Sequence, residues 1–212
     1  SNRMRLVPRR MAQSAKRTLY KFVLNMITTD NAAVDYDAVT LYHADHGNTG
    51  TTALSVAGLD TTQIAMRDQT AYNQSLEILG ARNAIRYVIV PNELEGRIRR
   101  ILNPSEAYAF ALSSTPDGDT SLDPARWQGS GIEYHVYDQL TDVNNWWTVA
   151  NPAEVPTMVV GFLNGQREPE LFVQDQPTVG SNFTADKTTF KIRAIYGADI
   201  LEHRSYYRQV VA

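Results

Sequence analysis

Hydrophobic positions near the start of the chain recur at helical spacing. Met11, Ala15, Leu19, Phe22 and Met26 fall three or four residues apart, with Ala12, Val23 and Ile27 widening the stripe. Arg9, Lys16, Arg17 and Lys21 occupy much of the remaining surface. This pattern predicts an amphipathic helix of roughly 18 residues. Pro8 stands where a first-turn proline is tolerated, and the polar run Thr28-Thr29-Asp30-Asn31 ends the helix. Residues 31–58 predict a long loop holding one short apolar piece, Val39 to Tyr42. Asp60 or Thr61 is placed to cap a second helix, which Ile64, Ala65 and Gln69 continue to about Tyr72. Leu76 to Gly80 then predicts an apolar connector.

Farther along, the period shortens toward two. Arg86-Tyr87-Val88-Ile89-Val90 is β-branched and aromatic and is stopped by Pro91, which predicts a buried strand. A helix follows at once, with Asn92 as cap, Leu94, Ile98, Ile101 and Leu102 as its apolar face and Asn103-Pro104 as its end. Residues 113–131 are rich in Ser, Thr, Asp, Gly and Pro and predict a loop. Strands are expected at Ile132 to Tyr137 and Trp146 to Ala150. A hairpin is expected where Met158 to Leu163 and Leu171 to Val173 flank Asn164-Gly165. A long strand interrupted at Gly197 is expected over Thr188 to Ile200, with another near Tyr206 to Val211. Helices dominate the first half and strands the second. The fold class is therefore α+β, and the chain is not a βαβ repeat.

Composition adds constraints. The chain has 212 residues, 43% hydrophobic and 20% charged, which is enough for one large domain or two lobes and argues against disorder throughout. It contains no cysteine, which removes disulfides, zinc–thiolate sites and thiol catalysis. No apolar run reaches the roughly 20 residues of a bilayer span, so no membrane partner is expected. The basic start lacks the apolar stretch of a signal peptide. A beginning at Ser1-Asn2 without Met suggests a trimmed or partial chain.

Charge is uneven. Residues 1–29 carry seven basic side chains and no acid, and the remainder carries 13 basic and 23 acidic ones. Such asymmetry invites a DNA-binding module on the N-terminal helix. The alternative is a cationic helix docking on an acidic face of another subunit, through Arg9, Arg10, Arg17 and Lys21. The second reading is preferred, because no set of stacking aromatics accompanies the basic residues. A net charge of −3 also opposes a tight DNA coat, so weak or no direct nucleic-acid binding is expected.

His43-Ala44-Asp45-His46 offers imidazole and carboxylate ligands, and so a possible metal-dependent hydrolase. Three ligands within four residues can meet one ion only if the backbone folds tightly. The preferred reading makes His43, Asp45 and His46 turn and contact residues, with no metal and no cofactor. No Gly-x-Ser-x-Gly elbow occurs, because Gly129-Ser130-Gly131 has the wrong spacing. Glu93 and Glu95, two apart on a helix, point in different directions, and Glu168 and Glu170 fall in the hairpin loop. No phosphate-binding Gly-rich loop with Lys is present. The chain is therefore not expected to be an enzyme. Trp146 and Trp147 adjoin on a strand, so one is expected in the core and the other outward as a contact anchor.

Element order and particular residues together carry a resemblance. The segments are Leu41-Tyr42-His43-Ala44-Asp45-His46-Gly47-Asn48, Val88-Ile89-Val90-Pro91-Asn92-Glu93-Leu94-Glu95 and Trp146-Trp147-Thr148-Val149-Ala150-Asn151-Pro152. To these are added Phe162-Leu163-Asn164-Gly165-Gln166 and Phe190-Lys191-Ile192-Arg193-Ala194-Ile195-Tyr196-Gly197-Ala198. Over about residues 8–205 the chain resembles a tailed-phage major capsid protein, of the prophage type associated with a Clp-like prohead protease. The encapsulin nanocompartment shares the capsid fold without the phage, and the segments quoted favour the phage type.

The resemblance implies the Hong Kong phage capsid fold, with a peripheral domain of spine helix plus long strands and an axial domain of mixed sheet with helices. Residues 1–58 would be spine helix and following loop, 59–150 the axial domain, and 151–212 strands returning to the peripheral domain. The N-terminal arm and extended loop of the family would lie ahead of the spine helix, outside this sequence. The resemblance further implies self-assembly into hexamers and pentamers of an icosahedral shell around double-stranded DNA, with head protease and portal as partners. It implies a place in the virion capsid, after assembly in the host cytoplasm.

Overall fold

A computed structural model describes residues 2–72, 77–103 and 126–212. The elements are mixed α and β. Helix α1 is Asn2–Ile27, α2 is Val56–Arg67, α3 is Glu95–Leu102 and α4 is Gly180–Ala185. The strands are β1 Thr49–Gly50, β2 Ile85–Val90, β3 Glu133–Val136, β4 Trp146–Ala150, β5 Met158–Phe162, β6 Glu170–Gln174, β7 Thr189–Arg193, β8 Tyr196–Ile200 and β9 Tyr206–Gln209. Much of the expected loop at 113–131 and part of the connector at 76–80 fall outside the described residues.

The chain divides into two compact units. One comprises residues 1–26 and 159–198, the other 27–158 and 199–212. The second unit holds a five-stranded sheet in the order β1-β9-β4-β2-β3. Its outer pairs, β1 with β9 and β2 with β3, are parallel, and β4 runs antiparallel to both β2 and β9. Trp147 stands opposite Ile89 on one side and Arg208 on the other. The side of β4 that carries Trp146, Thr148 and Ala150 meets α2 and α3. There Leu59, Met66, Ile98 and Ile101 pack with Val88, Val90 and Trp146. The Thr148 hydroxyl lies 3.2 Å from Met66 Sδ. These residues form one contiguous apolar core, the main source of stability for this unit.

Local chemistry accounts for the helix ends. Ser55 in extended backbone caps α2, its hydroxyl accepting from the Gly58 amide at 2.9 Å. The expected caps, Asp60 and Thr61, lie inside the helix instead. Thr61 bonds back to the Ala57 carbonyl, and Asp60 pairs with Arg126. The helix stops at Arg67, earlier than its periodicity suggests. Helix α1 begins at Asn2, well ahead of Pro8, which lies inside it. Proline removes one amide donor, so its cost in a helix is local, and the stripe around it continues on both sides. The stripe is half-buried at Met11, Ala15, Leu19 and Met26, and Arg9, Arg10, Lys16 and Arg17 are exposed.

The first unit contains α1, β6, β7, α4 and most of β5 and β8. Asn164 and Gly165 both take left-handed backbone, φ 53° and 71°, and the Gln166 amide bonds the Leu163 carbonyl. That turn matches the dipeptide's chemistry. The strands beside it, however, do not pair with one another. β5 pairs with β8, and β6 with β7 over Glu170↔Arg193 to Gln174↔Thr189. The expected hairpin across Asn164-Gly165 is thereby corrected. A two-residue turn fixes the local reversal, while the polar stretch Gln166 to Pro169 lets the chain leave the first ladder before the next begins.

Candidate functional site

The loop after α1 is folded onto the turn before β9. Tyr42 is the pivot. Its amide bonds Asn31 Oδ1 at 2.8 Å, and its hydroxyl donates to the Ile27 carbonyl at 2.9 Å. Burial pushes the Tyr42 phenol well above its ordinary pKa. The Arg208 guanidinium lies 5.1 Å from the centre of its ring. Gly47 takes left-handed backbone at φ 59° and closes the short turn Ala44–His46. That closure turns His46 inward.

His46 is buried and doubly held. Its Nδ1 donates to the Leu41 carbonyl at 2.9 Å, and its Nε2 faces Asp37 Oδ2 at 3.0 Å. Both ring nitrogens thus lie within hydrogen-bond distance of an oxygen. The His203 ring lies flat on it, with centroids 3.8 Å apart and planes 3° from parallel. His203 Nδ1 is 2.5 Å from the Tyr36 hydroxyl, which donates to Glu202 at 3.0 Å. Arg204 donates to Glu202 at 2.7 Å. Burial, then the adjacent His46 and Arg204, hold His203 down to about 4, so this ring is neutral at physiological pH. The Asp37 carboxyl is held below its ordinary value. Its desolvation acts upward, but the Val39 amide and His46 outweigh it.

Asp37, His46 and His203 bring three potential ligand atoms within 4.8 Å of one another. The stacking opposes a shared ion. A metal sits in the plane of an imidazole, roughly 2.0–2.1 Å from its nitrogen. Between two nearly parallel rings whose centroids are 3.8 Å apart, it would lie out of both planes. The cluster is a hydrogen-bonded tie between residues 36–46 and 202–204. It does not bring together the expected trio. His43 and Asp45 are exposed and pair with each other at 3.3 Å, while His46 points inward to Asp37. Sequence spacing could not have found His203, which joins the group from the far end of the chain.

The tryptophans also differ from expectation. Both are buried, Trp146 at 0% and Trp147 at 4% exposure. Trp146 donates to the Thr52 carbonyl at 3.0 Å. Trp147 is not outward, because β4 is an inner strand with packed residues on both of its faces. The run Trp146 to Ala150, apolar but for Thr148 and without a charge, carries that signal, since a strand covered on both faces loses polar alternation. Of the basic candidates, Arg9, Arg10 and Arg17 are exposed and Lys21 half-buried on α1.

Over residues 2–209 the chain matches the family described as phage capsid protein. The chain belongs to the phage capsid protein family. No curated protein and no solved structure matches it. A capsid family is a structural class whose members assemble with themselves and belong in the virion. Among the described residues, no helix is long and apolar enough to cross a membrane.

Proposed function

We propose that this chain is the major capsid subunit of a tailed phage, tiling an icosahedral head around double-stranded DNA. The family match over nearly the whole chain carries the reading. We assign it the Hong Kong phage capsid fold. In that assignment α1 is the spine helix of a peripheral domain, to which the strands of 159–198 return, whereas β9 joins the sheet of the other unit. Residues 59–150 build the axial domain. Head protease and portal would be its partners, and assembly would take place in the host cytoplasm.

The chemistry is association. Ring contacts are heterologous, so each subunit offers two different patches. The exposed cations Arg9, Arg10 and Arg17, with Lys21, form one patch, and acids of a neighbour form the other. His43 and Asp45 at the exposed loop tip are further contact candidates. Charge complementarity of this kind sets register and encounter rate more than raw affinity. The hydrolase alternative is not favoured, since His43, Asp45 and His46 diverge. Electron microscopy of the purified protein tests the proposal. Shells or capsomer rings are expected, and a uniformly monomeric particle under all assembly conditions would refute it.

A further inference from the structure

The first compact unit has no buried core among its described residues. Among its described side chains, in 6–26 and 159–198, none is buried, whereas the buried hydrophobic residues among those described lie in the second unit. Elements like these do not hold themselves. Helices in water depend on tertiary packing of an amphipathic face, and an isolated two-stranded ladder is marginal at best.

The β6–β7 ladder shows what is left uncovered. Cross-strand register puts Leu171 opposite Ile192 and Val173 opposite Phe190, so these four apolar side chains share one face. The other face carries the Glu170–Arg193 pair and Phe172, whose ring lies 4.8 Å from Lys191 Nζ. The ladder is thus amphipathic, yet Leu171 and Val173 remain 43% and 46% exposed. Alternation of this quality marks a face meant to be packed.

Charge identifies the occupant. The coreless unit has 11 basic and 4 acidic residues, a net +7, and the sheet-bearing unit has 9 basic and 19 acidic, a net −10. We propose that the apolar face of β6–β7 is covered by a second copy of this chain, through that copy's acidic sheet-bearing unit. The coreless unit is then completed only in the assembly. The contact is heterologous, basic unit on acidic unit, and so propagates from copy to copy as a shell requires. The inference rests on the self-assembly reading above.

The test uses the full chain and two kinds of variant. Leu171→Asp with Val173→Asp places two charges on the face. Loss of sedimenting shells is expected, with the thermal transition of the sheet-bearing unit unchanged. Because the chain has no cysteine, Val173→Cys gives a single thiol for maleimide labelling that does not depend on the charged variant folding. Its labelling is expected to be fast in dissociated subunits and at least about tenfold slower in shells, as burial blocks the reagent. Shells that form normally from the double variant, or equal labelling in both states, overturn this inference alone. Wild-type protein that never assembles overturns it together with the reading on which it rests.

Discussion

At the scale of single residues, His203 has the most measurable consequence. Its ring faces His46, Arg204, Glu202 and Asp37, and burial with the first two favours the neutral form. An unfolded histidine takes up its proton near 6.5, but this one does so only near 4. Between those values the unfolded chain binds more protons than the folded chain. Stability therefore falls as pH drops through that window, and the His203 contribution is fully lost below it. Asp37, held below its ordinary value, pulls the same way, its contribution vanishing on acidification. The His203 part is at most about 3 kcal/mol. Urea midpoints measured from pH 7 to pH 4 should decline for the wild type. His203→Gln should lower the midpoint at pH 7 and flatten that decline. A variant with the wild-type slope would show that another group carries the dependence.

At the scale of elements, β4 and α2 make opposite points about what a sequence discloses. Strand β4 is visible as an aromatic, β-branched run, and its boundaries are those observed. Its inner position is not, because a one-sided alternation rule sends Trp147 outward. Only the absence of charged residues along the run reports two covered faces. Trp146 fills the α2 side of the sheet. Trp146→Ala should cost about 3–5 kcal/mol in chemical denaturation, from lost burial, the cavity and the orphaned Thr52 carbonyl. A cost under 1 kcal/mol would contradict the packing described. In α2 the apolar period was readable, but three residue types able to cap lie within Ser55 to Thr61. Which of them caps is settled by where Leu59 and Met66 meet the core. Ser55→Ala should destabilise by about 1 kcal/mol, whereas Thr61→Ala, which removes only a back-bond to Ala57, should be close to neutral. Of the His cluster, the sequence disclosed a turn at His43, Asp45 and His46 but not that His46 points inward. The partner of His46 was hidden by a separation of some 160 residues, which no local period encodes.

At the scale of the whole molecule, opposite charge on the two compact units bears on assembly more than on folding. Arg9, Arg10 and Arg17 are exposed on α1, so replacing them leaves no buried partner unpaired. Arg9→Glu, Arg10→Glu and Arg17→Glu together change the basic unit's net charge by −6, from +7 to +1. Helicity and the unfolding midpoint should stay near wild type, since exposed charges away from caps and cores shift stability by no more than about 0.5 kcal/mol. Assembly should be abolished near 0.15 M salt, because the attraction that orients basic unit toward acidic unit is removed while the apolar face is intact. Wild-type assembly should itself slow as ionic strength rises. The screening length contracts from about 8 Å at 0.15 M to about 3 Å at 1 M, shorter than the reach of an arginine from the helix surface. Light scattering over a salt series, run on both proteins, separates the causes. A charge-guided contact predicts a steep wild-type dependence and no assembly of the triple variant. Shells of the triple variant that form at the wild-type rate would mean that the apolar face alone directs the contact.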